Sequence, residues 1–164
     1  MHPQIATVFD EPEHHYLKLE ELKLLSQYVA SMPERLDTYR NLRDRELEVM
    51  QAVVDQLEAE FPQESEQNLE RCIKHALLML RYCALSLLLN DETLVQQRFL
   101  NWVTPLAKTY GTKAIDTKLY RLLNQQLSKV LTAKQMSYLS PSLSLAQEAL
   151  LSQPTPSAAR QEVR

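Results

Sequence analysis

The sequence predicts an all-α fold of about seven helices, and three observations support that prediction. The chain has 164 residues, 45% of them apolar and 24% charged, so it can bury one core of ordinary size. It contains a single glycine, whereas Gly-rich phosphate loops and turn-rich β-sandwiches need several. Apolar residues recur at helical spacing almost throughout. We therefore expect one domain over 1–152, followed by a flexible tail over 153–164.

The first two long helices are predicted to be separated at Pro33. Ser31 and Glu34 flank this proline at the spacing of a capping box, so a new helix should begin there. It should end at about Phe61, because the next residue is a proline and disfavours helical geometry before it. The apolar stripe of the first helix consists of Leu22, Leu25, Val29 and Met32.

A central helix is predicted from about Ser65 to Asn90. Its apolar run, 76–89, is too short for a membrane span and includes a charge, so we expect a helix buried on most sides. Asn90 is suited to closing this helix, and Asp91 to capping the next one.

Three more helices complete the predicted fold. Pro105 should kink or split the fourth helix, and Gly111 stands where a left-handed terminus would need it. The fifth helix covers about 115–130. Pro141 is suited to the first turn of a last helix over about 143–151.

Charge is distributed unevenly along the chain. Residues 1–70 have a net charge of −10 and residues 71–164 a net charge of +7. The two halves could attract each other across a dimer, or they could be two solvated faces of one fold. The basic residues are scattered and the whole chain is mildly acidic, so nucleic-acid binding is not expected.

Several kinds of site are missing from the sequence. Cys72 and Cys83 are eleven positions apart, too distant on a helix for a disulfide, and no Cys/His cluster with metal-ligand spacing is present. No signal peptide opens the chain, and an intracellular protein is expected. No hydrolase, metalloprotease or P-loop motif occurs, so an enzyme is not expected.

The segment 72–112 resembles the central part of a phycobiliprotein subunit, of the phycocyanin and allophycocyanin kind. The matching residues, in order, are Cys72, Leu80-Arg81-Tyr82, Asp91, Arg98, Leu100-Asn101 and Gly111-Thr112. The resemblance extends over about residues 11–150. It implies a globin-like helical core with an N-terminal two-helix hairpin, over about 16–60, used for subunit association. It also implies a cyanobacterial or plastid phycobilisome, in the cytoplasm and peripheral to the thylakoid membrane, without membrane insertion.

The same resemblance places Cys72 at the position where the family attaches its bilin, a linear tetrapyrrole. Lys74 stands where the family has an arginine, and His75 where it has an aspartate. Lys74 could pair with a bilin propionate, but a protonated His75 cannot accept the pyrrole hydrogen bonds. The protein is therefore either a light-harvesting subunit with one bilin on Cys72, or a pigment-free protein of phycobilisome assembly, turnover or regulation in which Cys72 is a buried thiol.

Arg81 lies among apolar residues and needs a partner. One alternative is a carboxylate of the same chain. The resemblance implies another, an acidic residue before the first long helix of a second subunit: Glu11, with Asp10 and Glu13 as near substitutes. Tyr16 begins the matching segment. Because a partner should also cover part of the apolar stripe, we predict a dimer, either with itself or with a phycobiliprotein subunit.

Overall fold

The computed structural model describes residues 3–10 and 16–152, and these residues form six helices and no strand. Helix α4 is continuous over 93–110 but contains a π-helical turn at Gln96–Leu100, between the α-helical segments Thr93–Val95 and Asn101–Tyr110. The predicted all-α fold with a globin-like helical core is confirmed. The helices are α1 (Pro3–Asp10), α2 (Leu19–Glu60), α3 (Glu66–Leu89), α4 (93–110), α5 (Lys113–Val130) and α6 (Ala133–Leu151).

Helix α2 runs without interruption for 42 residues, so the predicted break at Pro33 is wrong. Ser31 and Glu34 form no capping box there. The Ser31 hydroxyl donates to a carbonyl one turn earlier at 2.8 Å, and the Glu34 carboxylate pairs with Lys134 at 2.9 Å. The N-terminal helix pair of this structure is instead α1 packed against α2, not a hairpin within 16–60.

Three prolines lie beyond the first turn of a described helix, and all three are exposed to solvent. These residues are Pro33, Pro105 and Pro141. A proline removes one helical hydrogen bond, but on an exposed face water can satisfy the freed carbonyl, and the helix can continue. Pro105 accordingly does not split α4.

The start of α6 also differs from the prediction. It begins at Ala133 and not near residue 143, so Pro141 lies in its middle. Thr132 and Gln135 fix this earlier start by a capping box. The Thr132 hydroxyl accepts from the Gln135 backbone N–H at 3.1 Å, and the Gln135 side chain accepts from the Thr132 N–H at 3.2 Å.

The other predicted helix ends are confirmed. Ser65 caps α3 by accepting from the Asn68 N–H at 3.3 Å, and Asn90 closes it with a left-handed φ of 51°. The Asp91 carboxylate accepts from the backbone N–H two residues later, at the start of α4. Gly111 ends α4 with a φ of 63°, a conformation that a side chain would disfavour.

Helix α3 is the centre of the core, as predicted. It packs against α2, α5 and α6 and buries nine residues, among them Ala76, Met79, Leu80, Cys83 and Leu87. By length and composition it is the one helix of the described chain that could cross a membrane. The central helix of a helical core meets the same two criteria, and the contacts of α3 are those of such a helix.

Replacing Pro33 with alanine is expected to raise the free energy of unfolding by about 1–2 kcal/mol, because alanine restores the missing hydrogen bond within a continuous helix. Part of the gain is lost because proline also restricts the unfolded chain. Urea unfolding measures the change. Pro62→Ala, outside the helices, is the control and should not stabilise the protein. If Pro33→Ala destabilises it, α2 is not continuous at this point.

Candidate functional site

Cys72 lies on the inner face of α3, opposite the beginning of α5. Its side chain is 1% exposed. The thiol donates a hydrogen bond to the Asp116 carboxylate beside Thr112, and the Thr112 hydroxyl donates to the same carboxylate at 2.7 Å. Thr112 and Asp116 are themselves buried. The three side chains form a closed polar cluster, which we call the Cys72 cluster.

Burial determines the protonation of the Cys72 cluster. It raises the pKa of the Cys72 thiol to about 12, and the negative charge of Asp116 acts in the same direction. Burial also raises the pKa of the Asp116 carboxyl, although the hydrogen bonds from Thr112 and Cys72 oppose this change. The pKa of the neighbouring Tyr120 hydroxyl is raised by burial as well. Because the thiolate is the nucleophilic form of cysteine, Cys72 is a poor nucleophile in this environment.

Lys74 is not part of this cluster. Residues two positions apart on a helix point to different sides, and Lys74 extends into solvent. Its ammonium group pairs with Glu70 one turn earlier at 2.6 Å. The structure therefore separates Cys72, expected to attach the bilin, from Lys74, expected to pair with its propionate.

His75 is on the same side of α3 as Cys72 and is half-buried. Its ring packs edge-on against Trp102 of α4, with 6.4 Å between the ring centroids. Burial lowers the pKa of the imidazole, and the charge of Asp116 partly offsets this effect. A neutral His75 ring against the Trp102 indole is a packing contact. A neutral imidazole also offers only one acceptor nitrogen.

Sequence reasoning missed three residues around Cys72: Thr112, Asp116 and Arg71. The Arg71 guanidinium lies over the ring of Tyr110, 3.7 Å from its centroid, and donates to Asn68 at 3.0 Å. The i, i+4 spacing of Thr112 and Asp116 at the start of α5 is the signal that could have indicated a polar pair. Nothing local could have shown that this pair faces Cys72 on another helix.

These residues do not fit a bilin attached to Cys72. Attachment needs a thiol that the tetrapyrrole can reach, and this one is enclosed and already hydrogen-bonded. The propionates need a cation that faces the sulfur, but Lys74 points outward and Arg71 is stacked on an aromatic ring. The family's pyrrole-binding carboxylate is His75 here, and Asp116 is committed to Thr112.

Arg81 pairs within the chain, which is one of the two alternatives that the sequence left open. Its Nε and Nη2 atoms donate to the two carboxylate oxygens of Glu46 on α2, at 2.8 and 2.5 Å. The expectation that Arg81 is surrounded by apolar residues is wrong, because its side chain is 55% exposed. Helical periodicity explains this position, since the most buried residues of α3, Cys72, Met79 and Cys83, lie on the side of the helix opposite Arg81.

The other expected interface residues lie far from Arg81 or outside the described part of the chain. Glu11 and Glu13 belong to the segment 11–15, which is not described. Tyr16 is fully exposed just before α2. Glu46, the partner of Arg81, is about 40 Å further along the same helix. One chain therefore does not bring Tyr16 and Arg81 together.

A cleft lies beside the Arg81–Glu46 pair, between α2 and α3. Its volume is about 360 Å³, and Leu42, Leu80 and Ala84 supply apolar walls near Tyr39. The ion pair and Arg43 make its rim polar. Among the described residues no group of His, Cys, Asp or Glu could hold a metal ion.

Comparison with known proteins identifies the family. No curated protein matches the chain. A sequence model described as "Phycobilisome protein" matches residues 8–150, which is most of the chain and includes both the Cys72 cluster and the Arg81–Glu46 pair. This chain belongs to the phycobilisome protein family, the proteins of a light-harvesting antenna.

Proposed function

We propose that this protein serves the phycobilisome as a pigment-free association subunit. The single observation that carries this proposal is the state of Cys72. Its thiol is buried, protonated and hydrogen-bonded to Asp116, so it fills the role of a core residue. The Cys72 cluster stabilises the junction of α3 with α5, at the position where a light-harvesting relative would carry its pigment.

Binding to other phycobilisome subunits is the role that remains for a family member without a pigment. Family members assemble with one another, and this chain keeps a polar, exposed surface around Arg81 and Glu46 next to an apolar cleft. We propose that a second phycobilisome subunit binds there and offers an acidic residue to Arg81. In return, Glu11 or Asp10 of this chain would bind the corresponding arginine of that subunit, with Tyr16 at the same contact. The protein would act at the periphery of the thylakoid membrane, in the assembly, turnover or regulation of the phycobilisome. It would not catalyse a reaction.

The competing function is light harvesting with a bilin on Cys72. The register of Cys72 within the family's pattern favours it, and Trp102 beside His75 offers an aromatic wall. It would require the Cys72 cluster to open, so that the thiol leaves Thr112 and Asp116. Lys74 would also have to exchange Glu70 for a propionate.

Expression in a host that makes bilin distinguishes the two functions. We expect the purified, denatured protein to show no zinc-enhanced bilin fluorescence on a gel, since the buried neutral thiol does not react. A phycobiliprotein subunit produced in the same host is the positive control. Fluorescence that is lost in Cys72→Ala but kept in Cys83→Ala would overturn the pigment-free proposal. Cys83 is the matched control because it is a second fully buried thiol of the same helix, with its pKa also raised to about 12 by burial.

A further inference from the structure

Helix α4 carries an exposed aromatic surface beside α3, which we call the α4 patch. Its members are Trp102, Leu106 and Tyr110, which follow one another at a spacing of four residues and so lie along one side of the helix. Their exposed fractions are 42%, 38% and 45%. Contiguous large apolar side chains that are left open to water in this way mark an interaction surface.

The polar groups beside the α4 patch are already bound within the chain. The indole N–H of Trp102 donates to the Arg98 carbonyl at 2.8 Å. The Arg71 guanidinium lies over the Tyr110 ring, 3.7 Å from its centroid, and donates to Asn68. The patch therefore offers ring surface and positive charge more than directed hydrogen bonds.

Positive charge accompanies the α4 patch, although the whole chain is mildly acidic. The segment 93–115 contains three basic residues and no acidic one. Two of them, Arg98 and Lys108, are exposed on α4 itself. Arg71 adds a further cation from α3, where the neighbouring exposed ion pair adds no net charge. Large apolar side chains together with cations are complementary to an apolar surface that carries negative charge.

We propose that the α4 patch binds the surface of a bilayer that contains anionic lipids. Tryptophan and tyrosine rings prefer the head-group level of a bilayer, where one edge stays wet and the rest is removed from water. Leu106, between the two rings, would reach the boundary of the acyl chains, and the cations would meet the lipid head groups. The contact is peripheral, since only side chains from one side of a helix reach the bilayer.

A lipid surface suits these contacts better than a shaped protein partner does. A specific protein interface relies on about one hydrogen bond per 100–200 Å². The donors beside Trp102 and Tyr110 are committed within the chain. A fluid anionic surface needs no directed partner, because its head groups can rearrange around the cations. Phycobilisome proteins are peripheral to the thylakoid membrane, so a bilayer lies within reach of this chain.

This inference rests on the proposed function, because a bilin beside His75 and Trp102 would cover the α4 patch. The two can nevertheless fail separately. Zinc-enhanced fluorescence tests for pigment in protein from a host that makes bilin, whereas lipid binding is measured on the chain made in a host without bilin. A pigmented chain would contradict the proposed function. A pigment-free chain that does not bind anionic lipid would contradict only this inference.

Vesicle binding by the full chain tests the inference, and Trp102 is the reporter because it is the only tryptophan of the chain. Vesicles of phosphatidylglycerol should shift its emission to shorter wavelength and carry the protein down on centrifugation. Vesicles of phosphatidylcholine should bind at least roughly tenfold more weakly, since each cation near an anionic surface contributes about fivefold. Salt at about 0.5 M should weaken the binding to phosphatidylglycerol, because it screens these charges.

Two leucine variants locate the contact. Leu106→Glu should reduce the affinity for phosphatidylglycerol vesicles by at least roughly tenfold, because it places a charge where the leucine would enter the bilayer. Leu145→Glu is the matched control: it makes the same change on α6, outside the patch, at an exposure of 39%. It should keep the affinity within about twofold, since a distant added charge is largely screened. Far-UV circular dichroism checks that both variants fold.

Three results would overturn the proposal. The first is that phosphatidylglycerol vesicles do not bind the chain. The second is binding without a shift of the Trp102 emission, or binding that both leucine variants weaken equally, because the contact would then lie on another face. The third is an emission shift with soluble poly-glutamate that the vesicles do not produce, which would assign the α4 patch to an acidic protein.

Discussion

Phe99→Ala is expected to lower the free energy of unfolding by about 3–5 kcal/mol, the largest effect of a single substitution that we predict. Phe99 is fully buried in the π-helical turn of α4. Its ring packs against Tyr82 of α3 at 5.8 Å and edge-on against Trp102 at 5.9 Å, between centroids. Alanine would leave a cavity and remove both aromatic contacts, because the surrounding helices cannot close around the missing ring.

Urea denaturation at constant pH measures this effect. Phe9→Ala is the matched control: the substitution is the same, but Phe9 lies on α1 and is 51% exposed, so the loss should stay below about 1 kcal/mol. Equal losses at the two positions would contradict the structure's placement of α4 against α3. A loss at Phe99 alone would support it.

Most of the helices could be predicted from the sequence because their signals are local. Helix α3 has a capping serine, an apolar run and a closing Asn90, and each of these acts within one or two turns. The effect of Pro33 and Pro141 could not be predicted in the same way. Whether a proline ends a helix depends on whether its side of the helix faces water or the core, and this is decided by tertiary packing.

The candidate site shows the same division. Periodicity alone could have shown that Arg81 points outward, since buried positions such as Ala76, Leu80 and Ala84 follow a helical repeat that Arg81 does not share. It could not have shown that Glu46, on another helix, faces Arg81. In the same way, the sequence alone allows Cys72 to be either a bilin attachment site or a buried thiol. Only the approach of Thr112 and Asp116 in the folded chain favours the buried thiol.

Asp116→Ala is expected to lower the free energy of unfolding by about 1–3 kcal/mol at mildly acidic pH. The substitution leaves the buried Thr112 hydroxyl without the carboxylate that it contacts at 2.7 Å, and it removes the hydrogen-bond partner of the Cys72 thiol. Because burial raises the pKa of the Asp116 carboxyl, the carboxyl becomes protonated at a higher pH than a free one, and the cost of a buried charge decreases toward the acidic end.

This loss should shrink as the pH rises. The pKa of Asp116 is higher in the folded than in the unfolded chain, so the folded chain binds more protons, and the stability of the wild-type protein falls from its ordinary pKa upward through the raised one. Each tenfold difference in proton affinity corresponds to about 1.4 kcal/mol. Asp116→Ala has no such group, and Asp116→Asn keeps an acceptor for Thr112 without a charge.

Urea unfolding of the three proteins between about pH 4 and pH 8 checks the sign. Burial lowers the pKa of His75, which gives the opposite slope. This effect of burial is common to the three proteins, and the part that depends on the charge of Asp116 is equally absent from Asp116→Ala and Asp116→Asn. We expect wild type to exceed Asp116→Ala most at the acidic end, and Asp116→Asn to gain on wild type toward the alkaline end. A gap between wild type and Asp116→Ala that widens with pH would mean that Asp116 is stabilised as a charged carboxylate, and burial would then not be the dominant influence on its pKa.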